Sequence, residues 1–285
     1  MQSALIPLPR VVIGVTGEDA AAFLDALVTQ RVGDRPVGSC SYAGLLTPQG
    51  KLIADFFIWR PGIDAFWLDV DQGAAAALIK RLTLYKLRAK IEVADLRATH
   101  GVYAALGMAQ PSETPTLIAI DPRMPDGGLG HRFVARASGP WNDELAIYQG
   151  HGLKSGVPDL AADAQPEELF ALEALFEELN GVDFHKGCFV GQENVSRMKR
   201  RATTRKKLCP ITFQGEPPAP ATPISAGDAV LGDVRTGGAG RAFALIRLDR
   251  ALEALDKGEI LMAGDLPVRL DPPPWLLMPS AKEQD

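Results

Sequence analysis

The sequence predicts an α+β fold of antiparallel sheet with helices on one face, followed by a separate C-terminal β domain. Two observations carry this reading. Helix, hairpin, helix and strand patterns succeed one another through the N-terminal half. Beyond residue 208 the texture changes to short strands punctuated by Gly/Pro turns, the pattern of a small β-barrel or sandwich. The boundary is drawn between residues 1–205 and 206–285. Taking the elements in order, Thr16 followed by Asp19 opens a run in which Ala22, Phe23, Ala26 and Leu27 recur at helical spacing, predicting a helix over 18–28. LIADFFIW (52–59) and DAFWLDV (64–70) flank Pro61-Gly62 and read as a hairpin. Asp71 can cap a helix carried by Ala74 to Leu82, after which LYKLRAKIEV turns to strand composition around 86–94. Further strands are predicted at 101–107, 116–120 and 131–136. Leu169, Phe170, Leu172, Leu175, Phe176 and Leu179 predict an amphipathic helix over 160–181, with Pro166 near its start and Gly181 as its stop. Gln192 to Met198 is compatible with another helix. The Pro-rich stretch 215–223 follows the first strand of the C-terminal domain and reads as a loop within it.

Composition narrows the function classes. With 46% hydrophobic and 23% charged residues the 285-residue chain has globular rather than disordered composition. No apolar run approaches the roughly 20 residues of a membrane span, and MQSALIPLPR lacks the order of a secretion signal, so a cytoplasmic protein is expected. A net charge of -5 argues against a surface built throughout for nucleic acid. Cys40, Cys188 and Cys209 form no CxxC, and the four histidines form no HxxxH or HxH, so no metal site is assigned. A GxSxG elbow is absent, and TGGAG (236–240) lacks the Lys-Ser/Thr of a phosphate loop and reads as a turn.

Chemistry concentrates in 180–208. Lys186, Cys188, Gln192 and Glu193 lie around Gly187 and Gly191, which permit a tight loop before a helix. A helix N-terminus and Lys186 would both lower a thiol pKa, making Cys188 a candidate reactive thiolate; a lone Cys beside Phe189 and Val190 is more often a small buried hydrophobe. Glu193 reads either as ordinary dipole stabilisation or as an acceptor for a heterocycle with adjacent N–H donors, such as a pterin. Between 197 and 207 stand seven basic residues, Arg197 first among them, and no acid. Such a run is a solvated face, an RNA-phosphate contact or a hold on the glutamate tail of a folate.

KGCFVGQE (186–193) resembles the KGC(Y/F)xGQE signature of the YgfZ family of folate-binding proteins. LLTPQGKLIADFFIW (45–59), YKLRAKIEV (85–93) and DPRMPDGGLGHR (121–132) resemble, in order, the family's L-x-P-x-G-(K/R) hairpin, LR-(S/A)-K-V strand and DPR…LG-x-R segment. That family is similar in fold to the T-protein of glycine cleavage, a tetrahydrofolate-dependent aminomethyltransferase, and includes mitochondrial iron–sulfur cluster assembly factors. The resemblance implies a three-lobed ring: two intertwined, ferredoxin-like α+β lobes and a C-terminal β-barrel, with tetrahydrofolate or a derivative near the central hole. It implies an accessory protein supporting assembly or repair of Fe–S enzymes, those of tRNA modification among them, with Fe–S client or assembly proteins as partners. Lys186, Gly187, Gly191, Gln192, Glu193 and Arg197 are the expected folate-binding residues, and Cys188 a catalytic or handling thiol. Where the T-protein pattern has paired acids this chain reads Ala54-Asp55, and where relatives carry TND it reads Thr29-Gln30-Arg31. Two other readings stand beside this one: a one-carbon transferase with Asp55 as acid/base group, and a tRNA-binding module using 197–207. Whether any reaction is catalysed is left open by the sequence.

Overall fold

The computed structural model describes residues 4–107, 115–137, 144–200 and 204–279. Strand β1 (Ala4–Pro7) leads through Leu8 and Pro9 into β2 (Arg10–Thr16), helix α1 (Ala20–Leu27), β3 (Cys40–Leu46), β4 (Leu52–Gly62), β5 (Ala65–Asp71), helix α2 (Ala75–Lys86) and β6 (Glu92–Asp95). Strands β2 to β6 form one antiparallel sheet in the order β3-β4-β5-β2-β6. Its helices cover one face because their apolar residues repeat at helical spacing: Phe23, Leu24 and Leu27 on α1, Ala75, Leu78 and Leu82 on α2. All six are buried against alternating strand residues such as Ile13, Val15, Phe56, Ile58 and Leu68.

The expected 52–70 hairpin is present, but the boundaries around it differ from the sequence reading. Asp71 does not cap α2: its carboxylate accepts from Gly73 N at 2.7 Å in a turn before the helix. Helix α2 continues to Lys86, where Leu87 at φ 44 ends it, and the strand expected from residue 86 is the short β6. Leu84, Tyr85 and Lys86 follow the helix because no breaker intervenes. Asp19 likewise leaves α1 uncapped and accepts from Lys90 N at 2.8 Å.

The second sheet is built from β7 (His100–Leu106), β8 (Leu117–Ile120) and β9 (His131–Arg136), with β1 as its far edge in the order β1-β7-β9-β8. The two lobes are thereby intertwined, since the chain enters the second sheet before it builds the first. Helix α3 (Leu145–Ser155), not foreseen from the sequence, ends where Gly156 takes a left-handed conformation. It is followed by the single turn α4 (Leu160–Asp163).

The helix expected over 160–181 is not formed beyond Asp163. Residues 166–180 are a succession of turns, with Glu167, Leu175 and Asn180 at positive φ and Phe176 N bonded five residues back to Ala171 O. The apolar spacing is real, but these residues are buried from several directions rather than along one stripe. Leu169, Leu172, Leu175, Phe176 and Leu179 share a core with the barrel, while Leu52 bonds across to Leu169 and Glu167. Tertiary burial overrides helical propensity here.

Helix α5 (Gln192–Arg200) then precedes β10 (Lys206–Phe213), β11 (Pro223–Ala226), β12 (Ala229–Gly238), β13 (Arg241–Arg247), helix α6 (Leu248–Asp256), β14 (Leu261–Ala263) and β15 (Leu266–Leu270). The six strands close into a barrel, β10-β13-β12-β11-β14-β15, with β15 returning to β10. At Gly232 a Cβ would stand 2.2 Å from Leu245 O, so the β12–β13 approach requires glycine. The expected α+β fold with a C-terminal barrel is borne out, and the Pro-rich loop lies between barrel strands β10 and β11.

Candidate functional site

The signature segment is held to the first lobe from several sides. Lys186, only 6% exposed, donates from Nζ to Val28 O and Gln30 O, each at 2.8 Å, and lies 3.8 Å from Asp25. Burial lowers its pKa to about 8. Its ammonium is thus engaged inside the protein. Gly191, at φ +83, sits so close to the β3–β4 turn that a Cβ would lie 2.6 Å from Thr47 O. Thr29, Gln30 and Arg31 complete the clamp. Thr29 Oγ1 donates to Gly181 O at 2.6 Å, Gln30 Nε2 to Asn180 O at 2.9 Å, and Arg31 Nη2 to His185 O at 3.1 Å.

Cys188 and Gly187 are exposed at the outer bend of this loop. The other thiols are not: Cys40 is raised well above its usual pKa by burial, and Cys209 is pushed up to about 12 by burial. Glu193 is exposed in the first turn of α5, and Gln192 N donates to Phe189 O at 3.1 Å. Arg197 donates to Asn194 Oδ1 at 2.5 Å, and Asn194 Nδ2 in turn donates to Gln49 O. Much of the basic run is engaged in ion pairs: Lys199 with Glu177, Arg205 with Asp249, and the buried Lys207 with Glu178. Residues 201–203 of that run lie outside the described residues.

A second constellation surrounds a cavity of about 450 Å³ where the two sheets, the 157–163 segment and the barrel meet. Its lining includes Arg10, Asp55, Arg123, Arg132, Tyr148 and Asp163. Of the catalytic and folate-binding candidates named from the sequence, Asp55 alone belongs to that lining; Cys188, Glu193 and Arg197 do not. Asp55 lies on β4, and Tyr42 OH donates to its Oδ2 at 3.3 Å. Burial raises the Asp55 carboxyl above its usual range, with Arg10 and Arg123 opposing the shift and Asp159 adding to it. Asp163 accepts from Thr236 N and Oγ1 and from Asp159 N, tying the barrel to α4, and burial raises its pKa to about 6.

Three guanidinium groups converge on the Phe57 ring: Arg132 at 3.7 Å from its centroid, Arg123 at 5.1 Å and Arg10 at 5.3 Å. Arg10 binds Asp69 through Oδ1 at 2.5 Å and the backbone oxygen at 2.8 Å. Arg123 makes a two-pronged pair with Asp121 and donates to Tyr148 OH at 2.9 Å. Although burial disfavours its ionisation, Asp121 is held below the usual carboxylate range by Arg123. Sequence reasoning did not assign these arginines a site. The available signal was the 121–132 segment, which contributes Asp121, Arg123 and Arg132.

Among the described residues no helix is long and apolar enough to cross a membrane, and no three His, Cys, Asp or Glu side chains are grouped to hold a metal ion.

Comparison with known proteins agrees with the architecture. Residues 11–112 match the family model of the GCVT N-terminal domain, and residues 205–277 that of the CAF17 C-terminal beta-barrel domain. Aminomethyltransferase T of the glycine cleavage system from Bartonella henselae is similar in fold, with a TM-score of 0.72 at 15% identity over 98% of this chain and 88% of that one. The mitochondrial iron–sulfur cluster assembly factor IBA57 of Mus musculus is 30% identical over 263 residues, covering 82% of this chain and 72% of that protein. The mitochondrial IBA57 homolog of Mycosarcoma maydis is 32% identical over 234 residues, 73% of this chain and 57% of that protein. These names overturn the expected cytoplasmic location, because the matched relatives are mitochondrial. That expectation rested on the lack of an apolar span or secretion signal, and neither feature separates one aqueous compartment from another. The resemblance to a T-protein-like family with iron–sulfur assembly members is borne out, and by its likeness to these relatives the chain belongs to the IBA57 family of iron–sulfur cluster assembly factors.

Proposed function

We propose that this protein acts in iron–sulfur cluster assembly by presenting Cys188 as a thiolate ligand to a cluster held jointly with a partner. The observation that carries this reading is the contrast among its thiols. Cys188 is exposed on a loop fixed by Lys186 and Gly191, whereas Cys40 and Cys209 have thiols held protonated by burial. One thiolate does not fill the coordination sphere of a cluster iron, so the remaining ligands come from an assembly partner or a client. Cys188→Ser is expected to fold normally and to fail to restore Fe–S enzyme activity in a deletion strain. Full restoration by that variant would remove the thiol from the mechanism.

A reduced folate fits the central cavity rather than the signature loop. The volume falls in the roughly 300–1,000 Å³ range of small-molecule sites. Asp55 supplies a carboxyl for the N–H donors of a pterin, and the apolar wall of Leu8, Leu129, Val157 and Leu160 supplies a surface for its ring. Titration calorimetry with tetrahydrofolate separates the two placements. The cavity reading expects binding lost in Asp55→Asn and kept in Glu193→Ala; the reverse result assigns folate to Glu193. One observation, the buried carboxyl of Asp55 with its raised pKa, also favours a second reading, in which Asp55 is the acid/base group of a one-carbon transfer. Turnover of methylenetetrahydrofolate unchanged in Asp55→Asn would dispose of it.

A further inference from the structure

We propose that the guanidinium cluster of Arg10, Arg123 and Arg132 is a carboxylate-binding subsite of the central cavity. Its basis is a buried guanidinium whose hydrogen bonds are incompletely made. Three cations converge on Phe57, and the two carboxylates that pair with them are Asp69 and Asp121. Asp121 is committed to Arg123 through both oxygens. Asp69 is shared: Arg10 takes Oδ1, while Arg132 Nε lies 3.3 Å from Oδ2 without a hydrogen bond between them. Arg132 is 2% exposed, and its Nε and Nη1 have no hydrogen-bond partner among the described residues. Buried guanidinium groups are ordinarily paired, and a planar two-oxygen anion is what their fork of N–H donors matches.

All three arginines line the same cavity, so a small ligand can reach the cluster. They arrive from separate parts of the chain, Arg10 on β2, Arg123 in the loop before β9 and Arg132 on β9. Asp69 of the first sheet and Arg132 of the second meet there, which places the subsite at the seam of the two lobes. Arg123 and Arg132 also give a role to the 121–132 segment, which neither the thiol nor Asp55 explains. The carboxylate could be the glutamyl tail of a folate or belong to a free dicarboxylate; the subsite itself does not depend on the folate reading.

The test is calorimetry and thermal melting of the full chain with p-aminobenzoylglutamate and with glutarate. Their neutral amides serve as controls at matched ionic strength. The carboxylate probes are expected to bind and the amides not. Arg132→Met should weaken binding ~10-fold or more, the loss of a charge-assisted pair. Asp69→Asn should tighten it, because removing the shared carboxylate frees both Arg10 and Arg132. If Arg132→Met does not fold, Arg123→Gln replaces it with the same expected direction. Either probe binding more tightly supports the subsite: p-aminobenzoylglutamate points to a folate tail, glutarate to a free dicarboxylate. Absence of carboxylate binding in the folded wild type, binding equal to that of the amides, or affinity unchanged in these variants would overturn the inference. Glutarate binding without tetrahydrofolate binding would sink the folate reading alone. Tetrahydrofolate binding abolished by Asp55→Asn but indifferent to the arginine variants, with neither carboxylate probe bound, would sink the subsite alone.

Discussion

The signature loop and the wall of the central cavity both bury a positive charge, and they treat it in opposite ways. Lys186 enters the first lobe and finds two carbonyl oxygens at 2.8 Å, with Asp25 beyond them. Arg132 is buried as deeply, yet two of its donor nitrogens have no hydrogen-bond partner among the described residues. A satisfied buried cation fixes a backbone; an unsatisfied one is a standing demand for an anion. In this reading the loop is a rigid mount for Cys188, and the cavity is where recognition of a small molecule takes place.

Substitutions can break or sharpen that contrast. The largest effect is expected from Gly191→Ala, which places a Cβ 2.6 Å from Thr47 O at a left-handed φ. A loss of about 2–3 kcal/mol is expected in urea denaturation, and an unchanged midpoint would mean that the loop is not pinned there. Lys186→Met comes next, at about 2 kcal/mol, because Val28 O and Gln30 O lose their donor. It carries a pH signature. The folded pKa of about 8 lies below the ordinary value, so wild-type stability gains a contribution as pH rises from about 8 towards 10.5. Denaturation at several pH values should show that gain disappear in the variant. Arg132→Met is expected within about 1 kcal/mol of wild type, since Asp69 keeps Arg10 and an incompletely paired charge is removed. A loss as large as that of Lys186→Met would erase the distinction between the two sites. The smallest change at neutral pH is expected for Asp163→Asn. With its pKa raised to about 6, Asp163 contributes stability that is present below 3.8 and lost as pH rises through 6. The variant should flatten that part of the pH–stability curve, measured by thermal melting between pH 4 and 7.

What was legible in the sequence follows from where the information is local. The 52–70 hairpin, α1, the body of α2 and the barrel strands are specified by short-range alternation, helical spacing and turn residues, and they stand where those patterns place them. The 164–180 segment does not, because its leucines and phenylalanines are spaced like a helix while the contacts that bury them come from the barrel and the first sheet. The same division runs through the site. Cys188 and Glu193 attract attention through adjacent residues in the chain, whereas Arg10, Arg123 and Arg132 become a group only when β2 and β9 are brought together. Asp69 gave no sign of its role, since in sequence it is one polar position in a β-strand.

The crossing of β1 into the second sheet bears on how the molecule is made. Residues Ala4 to Pro7 are synthesised before β7, yet their register runs against Tyr103 to Leu106, about a hundred residues later. Vectorial synthesis can complete the first sheet as soon as β6 emerges, while β1 waits for β7. Closing that long loop is slow compared with forming the local hairpins. Strand β1 is therefore among the last parts to settle, and the lobe seam on which the arginines converge forms with it.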